Sequence, residues 1–95
     1  MDNIEIKFSA GFHELEDAGY SFPVSGQTSL ADLLAGYCAE YSPETLEKII
    51  DPRTRLIAAA TLVTVNGRSV KSEDPETTML SPGDSIYITR ILIGG

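Results

Sequence analysis

Two consecutive glycines, Gly94 and Gly95, follow the apolar residues 91–93. Glycine loses more backbone entropy on ordering than any other residue, and chain termini fray unless other contacts hold them. A Gly-Gly pair at this position therefore adds little to folding stability. It is either incidental or serves another protein, because backbone without Cβ atoms can be approached closely.

The residue types that usually carry catalysis or bind metals are few and scattered. The single cysteine, Cys38, excludes an intramolecular disulfide and a cysteine-based zinc site, and we expect it in the core rather than in a sulfur relay. The single histidine, His13, stands beside Glu14, Glu16 and Asp17, as in a solvated loop. No Ser-His-Asp set, phosphate-binding glycine loop or metal-spaced cluster is present. We therefore expect no catalytic residues of the chain's own and no metal site.

The composition is that of a small acidic globular domain. The chain has 95 residues, of which 42% are hydrophobic and 22% charged, and this predicts one domain over residues 1–95. The formal net charge of −7 argues against nucleic-acid binding, which uses Lys and Arg to neutralise phosphates. It favours a partner with a basic face or serves solubility alone. No apolar run approaches the roughly 20 residues of a membrane helix, and no signal-peptide pattern is present, so we expect a cytoplasmic protein with no membrane partner.

Apolar residues alternate with polar ones in several segments, which is typical of half-buried strands. Pro23 predicts that its strand lies at an edge, because proline cannot donate to a neighbouring strand. Asn66-Gly67 predicts a two-residue hairpin turn, and residues 81–84 predict a second turn. Residues 11–19 predict a loop. The predicted strands are residues 3–10, 20–24, 61–65, 68–70 and 85–93.

One segment instead repeats its apolar residues at steps of three and four, which predicts a helix from about Leu30 to Tyr41. Thr28 or Ser29 is expected to cap it. A second short helix is predicted from Pro43, capped by Ser42 and ended by Asp51-Pro52. Residues 56–60 are ambiguous and are compatible with a helix. The predicted apolar face of the first helix comprises Leu30, Leu33, Leu34, Tyr37, Cys38 and Tyr41.

The order of these elements predicts an α+β fold in which a mixed sheet packs on one main helix. A helix between the second and third major strands requires a crossover, so part of the sheet must be parallel. This arrangement is the β-grasp. The predicted core comprises Ile6, Phe8, Leu30, Leu33, Leu34, Tyr37, Val63, Val65 and Ile86.

The last third of the chain resembles the ubiquitin-like sulfur carriers, a family that includes the molybdopterin synthase small subunit and the thiamin-biosynthesis sulfur carrier. The matching residues are the hairpin sequence 65–67, the turn with Gly83 and Asp84, and the spacing from Gly83 to Gly95. Molybdopterin-type tails commonly carry Pro-Pro where this chain has Arg90-Ile91. Thiamin-type carriers are usually shorter, so the extra segment from Pro43 to about Ala60 favours the molybdopterin type.

The resemblance implies that the α-carboxylate of Gly95 is the reactive group. An activating enzyme of the ubiquitin-activating type, using ATP and Mg²⁺, would adenylate it and sulfur would then replace AMP, leaving a thiocarboxylate. The carrier would deliver this sulfur to a large synthase subunit or another sulfur-accepting enzyme, without binding a cofactor itself. The flexible tail, residues 91–95, would thread the partner's active site. The residues implied in tail recognition are Arg90, Ile91, Leu92, Ile93 and Gly94.

Three alternatives remain open at this point. In the first, the sulfur goes to thiamin rather than to a molybdenum or tungsten cofactor. In the second, Gly95 is joined to lysines, as in a ubiquitin-like modifier. In the third, the chain is a β-grasp interaction module whose glycines are incidental.

Overall fold

The structure, a computed structural model, describes residues 2–8 and 19–91. Its elements in chain order are β1 (Asn3–Phe8), β2 (Gly19–Pro23), β3 (Thr28–Ser29), α1 (Leu30–Tyr41), a 3₁₀ turn (Pro43–Thr45), α2 (Leu46–Ile49), β4 (Thr61–Val65), β5 (Arg68–Ser69), β6 (Met79–Leu80) and β7 (Ser85–Arg90). The loop predicted at residues 11–19 lies outside the described residues except for Gly19, which begins β2.

Five strands form one mixed sheet in the order β2-β1-β7-β4-β5. β1 and β7 are parallel, and the other neighbouring pairs are antiparallel, so the predicted mixed sheet is confirmed. β2 lies at an edge, as Pro23 predicted. The sheet and its main helix make the β-grasp, the ubiquitin-like fold. A separate two-stranded pairing of β3 with β6 was not predicted, since two-residue strands leave no periodic signal.

Helix α1 covers one face of the sheet with the bounds that its sequence predicted. Ser29 caps it, because its Oγ accepts a hydrogen bond from the Asp32 amide at 3.0 Å. Cys38 is buried with the other predicted apolar positions of the helix. Tyr41 is the exception: it is the last residue of α1 and is 44% exposed, so the predicted apolar face ends one turn earlier.

Residues 56–60, which the sequence left compatible with a helix, do not form one. Helix α2 ends at Ile49, because Pro52 disfavours helical geometry at the residue before it. The chain then turns back, with the Asp51 amide donating to the Leu56 carbonyl at 2.8 Å and Ile50 bridging to Ile57. The capping by Ser42 that the sequence predicted is not seen, because its side chain makes no hydrogen bond to the backbone of the turn. Its Oγ instead lies 2.7 Å from the Thr45 Oγ1.

The core forms between α1 and the inner face of the sheet. Eight of the nine predicted core residues are buried, and Val65 is partly buried and packs against them. Among the described residues, seven further buried hydrophobic side chains belong to this cluster: Ile4, Cys38, Ile49, Ile57, Val70, Leu80 and Ile88.

The two turns that carried the family resemblance are bonded to each other. Asn66 and Gly67 have φ angles of 52° and 83°, as their two-residue hairpin turn requires. The Asn66 Nδ2 donates to the Asp84 Oδ1 at 3.0 Å, and the Asn66 Oδ1 accepts from the Ser85 amide at 2.9 Å. These bonds fix the start of β7, and with it the course of the strand that leads to the C-terminal residues.

Candidate functional site at the root of the C-terminal tail

Strand β7 lies at the centre of the sheet, between β1 and β4, and leads to the residues on which the predicted function depends. Its last residue, Arg90, is half-buried and lies opposite Thr61 of β4. The next residue, Ile91, donates its backbone N–H to the Ala60 carbonyl at 2.8 Å. The tail root is therefore Arg90 and Ile91, held by the residues at the start of β4.

Of the six residues implied in tail chemistry or recognition, the structure describes these two. Ile91 is half-buried, and its backbone hydrogen bond holds its amide against the start of β4. The flexible tail over residues 91–95 stays a prediction. The predictions for Leu92, Ile93, Gly94 and Gly95 lie outside the described residues.

The hydrogen bond of Ile91 gives a structural meaning to the absence of a Pro-Pro pair at this point. Proline has no backbone N–H, so a proline at position 91 would leave the Ala60 carbonyl without this donor. In this chain the last backbone contact before residue 92 therefore depends on a residue other than proline.

The start of β4 is in turn anchored on helix α2. Thr61 is 1% exposed, and its Oγ1 donates to the carbonyl of Lys48. The Ala58 amide donates to the Ile49 carbonyl at 2.8 Å. The tail root thus rests on a segment that is bonded to α2, and neither Ala60 nor Thr61 was singled out in the sequence, because their roles arise from backbone pairing and from one buried hydroxyl.

The remaining candidates from the sequence do not contribute to this root. Cys38 is fully buried, and burial raises the pKa of its thiol from 9.0 to about 11, so the sulfur stays protonated at neutral pH. His13 and its acidic neighbours Glu14, Glu16 and Asp17 lie outside the described residues. Within residues 2–8 and 19–91, no group of three or more His, Cys, Asp or Glu side chains is arranged to hold a metal ion, and no helix is long and apolar enough to cross a membrane.

The sheet face that α1 leaves uncovered includes outward-facing residues of β7, the strand that ends at the tail root. Tyr87 of β7 is 43% exposed there. Lys7 of β1 and Thr64 of β4 flank it in the sheet register. A partner that contacts this face therefore lies along the strand from which the tail leaves.

Comparisons with known proteins find similarity at the level of structure. No family model and no curated protein matches the chain. The HVO 2177 protein of Haloferax volcanii has a similar structure, with a TM-score of 0.76 and 26% identity over 98% of this chain and 86% of that one.

Two further solved structures match the chain over nearly its whole length. Urm1 from Trypanosoma brucei has a TM-score of 0.70 and 22% identity, over 99% of this chain and 96% of its own. The small archaeal modifier protein 1 from Methanosarcina acetivorans has a TM-score of 0.69 and 21% identity, over 100% of this chain and 98% of its own. The chain thus has the β-grasp, ubiquitin-like fold of a group of small proteins of about its own length.

Proposed function

We propose that the chain is a ubiquitin-like carrier whose Gly95 α-carboxylate is adenylated by a partner enzyme and then converted to a thiocarboxylate. The chain acts as a cosubstrate, and the catalytic groups belong to the enzyme that binds it. The observation that carries this proposal is the tail root, where the central strand of a β-grasp sheet leads to Ile91, whose amide is bonded to Ala60 and which precedes Gly94 by three residues in the sequence.

The tail root defines how far Gly95 reaches. Since the amide of Ile91 is bonded to Ala60, we take residues 92–95 as the part of the chain that enters the partner. Four extended residues span about 13 Å at roughly 3.3 Å each. This length supports entry of the glycines into a narrow active site while Arg90 and Ile91 stay at its entrance, where strand addition or filling of a pocket provides recognition.

The proposed chemistry begins with a weakly reactive group. An α-carboxyl has a pKa of about 3.3–3.7 in model compounds, so it is ionised at neutral pH. A carboxylate oxygen attacks the α-phosphorus of ATP and pyrophosphate leaves, which gives an acyl-adenylate. The enzyme contributes positioning and charge neutralisation to this step.

Sulfur then replaces the adenylate. The terminal sulfur of a persulfide on the sulfur source attacks the acyl carbon and AMP leaves. A thiol next cleaves the S–S bond, so that the carrier retains a thiocarboxylate and the two remaining sulfur atoms form a disulfide. On sequence grounds we assign this sulfur to molybdopterin synthesis through a large synthase subunit, with the thiamin pathway as the alternative.

Protein modification is the second candidate, and a specific observation favours it. One of the similar structures is that of a protein named as a small archaeal modifier. The same adenylate serves this function if a lysine amine on a target attacks the acyl carbon and forms an isopeptide bond. The two functions therefore share the first step and differ in the nucleophile.

Intact mass spectrometry after incubation with the activating enzyme, ATP and a persulfide source tests the proposal. A mass gain equal to the replacement of one oxygen by sulfur, absent when ATP is omitted, is expected. Conjugates of higher mass without this gain would support the modifier instead. No change of mass with any activating enzyme would leave the chain an interaction module. Transfer of the sulfur by the thiocarboxylate form to the large subunit of molybdopterin synthase then tests the pathway.

A further inference from the structure

Every carbonyl of residues 58–61, the segment that leads into β4, accepts a hydrogen bond. The Ala60 carbonyl accepts from the Ile91 amide at 2.8 Å. The other three carbonyls accept from one side chain, because the Nζ of Lys71 lies 3.0 Å from the Ala58 oxygen, 2.9 Å from the Ala59 oxygen and 2.8 Å from the Thr61 oxygen. One ammonium group therefore joins three carbonyls of this segment, in addition to the bonds that tie the segment to α2 and the bond from the Thr61 amide to the Ala58 carbonyl at 3.0 Å.

The course of the neighbouring strand explains why a lysine occupies this place. β5 ends at Ser69. The next residue, Val70, makes the last backbone bond to β4 on this side, since its amide donates to the Val63 carbonyl at 3.0 Å. Beyond that point β4 has lost its neighbour on this side. Lys71 comes next, and an ammonium group has three N–H donors, which equals the number of carbonyls that it meets. Such charge-assisted bonds are stronger than bonds between neutral groups.

We propose that Lys71 is a positioning residue for the C-terminal tail. Its ammonium helps to fix residues 58–61, the fixed Ala60 carbonyl holds the Ile91 amide, and this bond sets the position of Ile91, the residue that precedes the last four of the tail. Loss of the ammonium leaves the Ala59 and Thr61 carbonyls without their donor and the Ala58 carbonyl with the Thr61 amide alone, so the segment relaxes and Ile91 is released. The functional consequence rests on the proposed adenylation of Gly95; the structural one does not.

Hydrogen exchange measured by NMR tests the structural step directly. In Lys71→Met, which keeps most of the side-chain length without the charge, the Ile91 amide is expected to exchange about tenfold faster or more, the scale of losing a hydrogen bond to a charged group. The Asn66 amide, which donates to the Ser85 carbonyl at 2.7 Å at the other end of the β4–β7 pair, serves as the reference and keeps its rate. Lys48→Met is the matched control, because it removes the same charge from an exposed side chain and leaves Ile91 protected. An unchanged Ile91 amide in Lys71→Met, or an equal increase at Asn66, would overturn the proposal.

A measurement on the unaltered protein covers the case in which Lys71→Met does not fold. At mildly acidic pH and low temperature, the ammonium protons of Lys71 are expected to exchange slowly enough to give a ¹H–¹⁵N signal, whereas those of the exposed Lys7 and Lys48 exchange faster. Equal behaviour of the three ammonium groups would contradict the triple hydrogen bond.

The functional step is read from the kinetics of adenylation. Pyrophosphate exchange with the activating enzyme should show KM for Lys71→Met raised about tenfold with kcat retained, since binding must order the released root and one backbone residue costs energy on this scale. Lys71→Arg, which keeps the charge and the donors, should recover part of the loss. An unchanged KM together with a released Ile91 amide would refute the role in tail positioning. Absence of exchange with the wild-type chain would instead refute the proposed function, and the hydrogen-exchange result would stand independently.

Discussion

The hydroxyl of Thr61 is expected to carry a large part of the attachment between α2 and β4, and Thr61→Val tests this. The carbonyl of Lys48 would take its helical hydrogen bond from the residue four positions later, but that residue is Pro52, which has no N–H. The Thr61 Oγ1 supplies the donor instead. Valine has nearly the same shape as threonine, so the substitution removes the bond and leaves the packing in place.

The expected loss follows from the burial of the Thr61 hydroxyl. Thr61 is 1% exposed and its bond to the Lys48 carbonyl is partly buried, and a carbonyl left without its partner costs about 1 kcal/mol in such a place and up to about 3 kcal/mol where it is fully buried. A chain of 95 residues has a free energy of unfolding of roughly 5–14 kcal/mol. Thr61→Val should therefore lower Tm by about 4–24 °C, at about 4–8 °C per kcal/mol for a domain of this size.

Urea unfolding provides the assay and Thr64→Val the matched control. Thr64 belongs to the same strand, is half-exposed, and makes no side-chain hydrogen bond that the structure shows within its described residues. Its substitution is expected to change the free energy of unfolding by less than about 0.5 kcal/mol, with the m-value unchanged in both variants. Equal effects at positions 61 and 64 would show that the Thr61 hydroxyl does not anchor the start of β4.

The other predictions concern the core, the thiol and the tail. Leu34→Ala, at a fully buried position of α1, should cost about 2–5 kcal/mol in urea unfolding, whereas Leu56→Ala, at a position 46% exposed, should cost less than about 0.5 kcal/mol; similar costs would place the core elsewhere. Because burial raises the Cys38 pKa from 9.0 to about 11, the folded state binds more protons than the unfolded state between these values, so this contribution to stability is complete below pH 9 and lost as the pH rises through 11. The stability advantage of the wild type over Cys38→Ala should shrink across that window, and iodoacetamide should label Cys38 only in urea; rapid labelling of the folded protein would disprove its burial. Ile93→Asp should weaken binding to the activating enzyme in a titration while Tm is retained, with Ile93→Leu as control; parallel loss of binding and Tm would make the residue structural.

Local sequence patterns were sufficient to predict those elements whose first and last residues depend only on neighbours in the sequence. Helix α1 was predicted from Leu30 to Tyr41 because an apolar repeat coincides with a serine cap at Ser29. The turn at Asn66-Gly67 was predictable because its two positive φ angles require residues that tolerate them.

The tail root was not predictable in the same way. Ala60 takes part through its carbonyl, which every residue type possesses, and nothing in the side chain of an alanine marks it. Lys71 lies in a polar stretch where its charge is unremarkable, and its role depends on β5 ending at Ser69. The path of residues 53–60 was not predictable from the sequence. Backbone hydrogen bonds decide it, such as the one from the Asp51 amide to the Leu56 carbonyl, and such bonds leave no signal in the residue types.

ATP–pyrophosphate exchange with the cognate activating enzyme tests the central claim most directly, because it reports adenylation alone. The chain that ends at Gly95 should support exchange. A chain without Gly95 should not, since its carboxylate lies about 3.4 Å short of the reacting phosphorus and a displacement of about 1 Å already costs much of the rate. A chain with one residue added after Gly95 should fail for the same geometric reason, while both variants retain the wild-type Tm. Exchange at the wild-type rate by the shortened and the lengthened chains would contradict the assignment of Gly95 as the reactive residue.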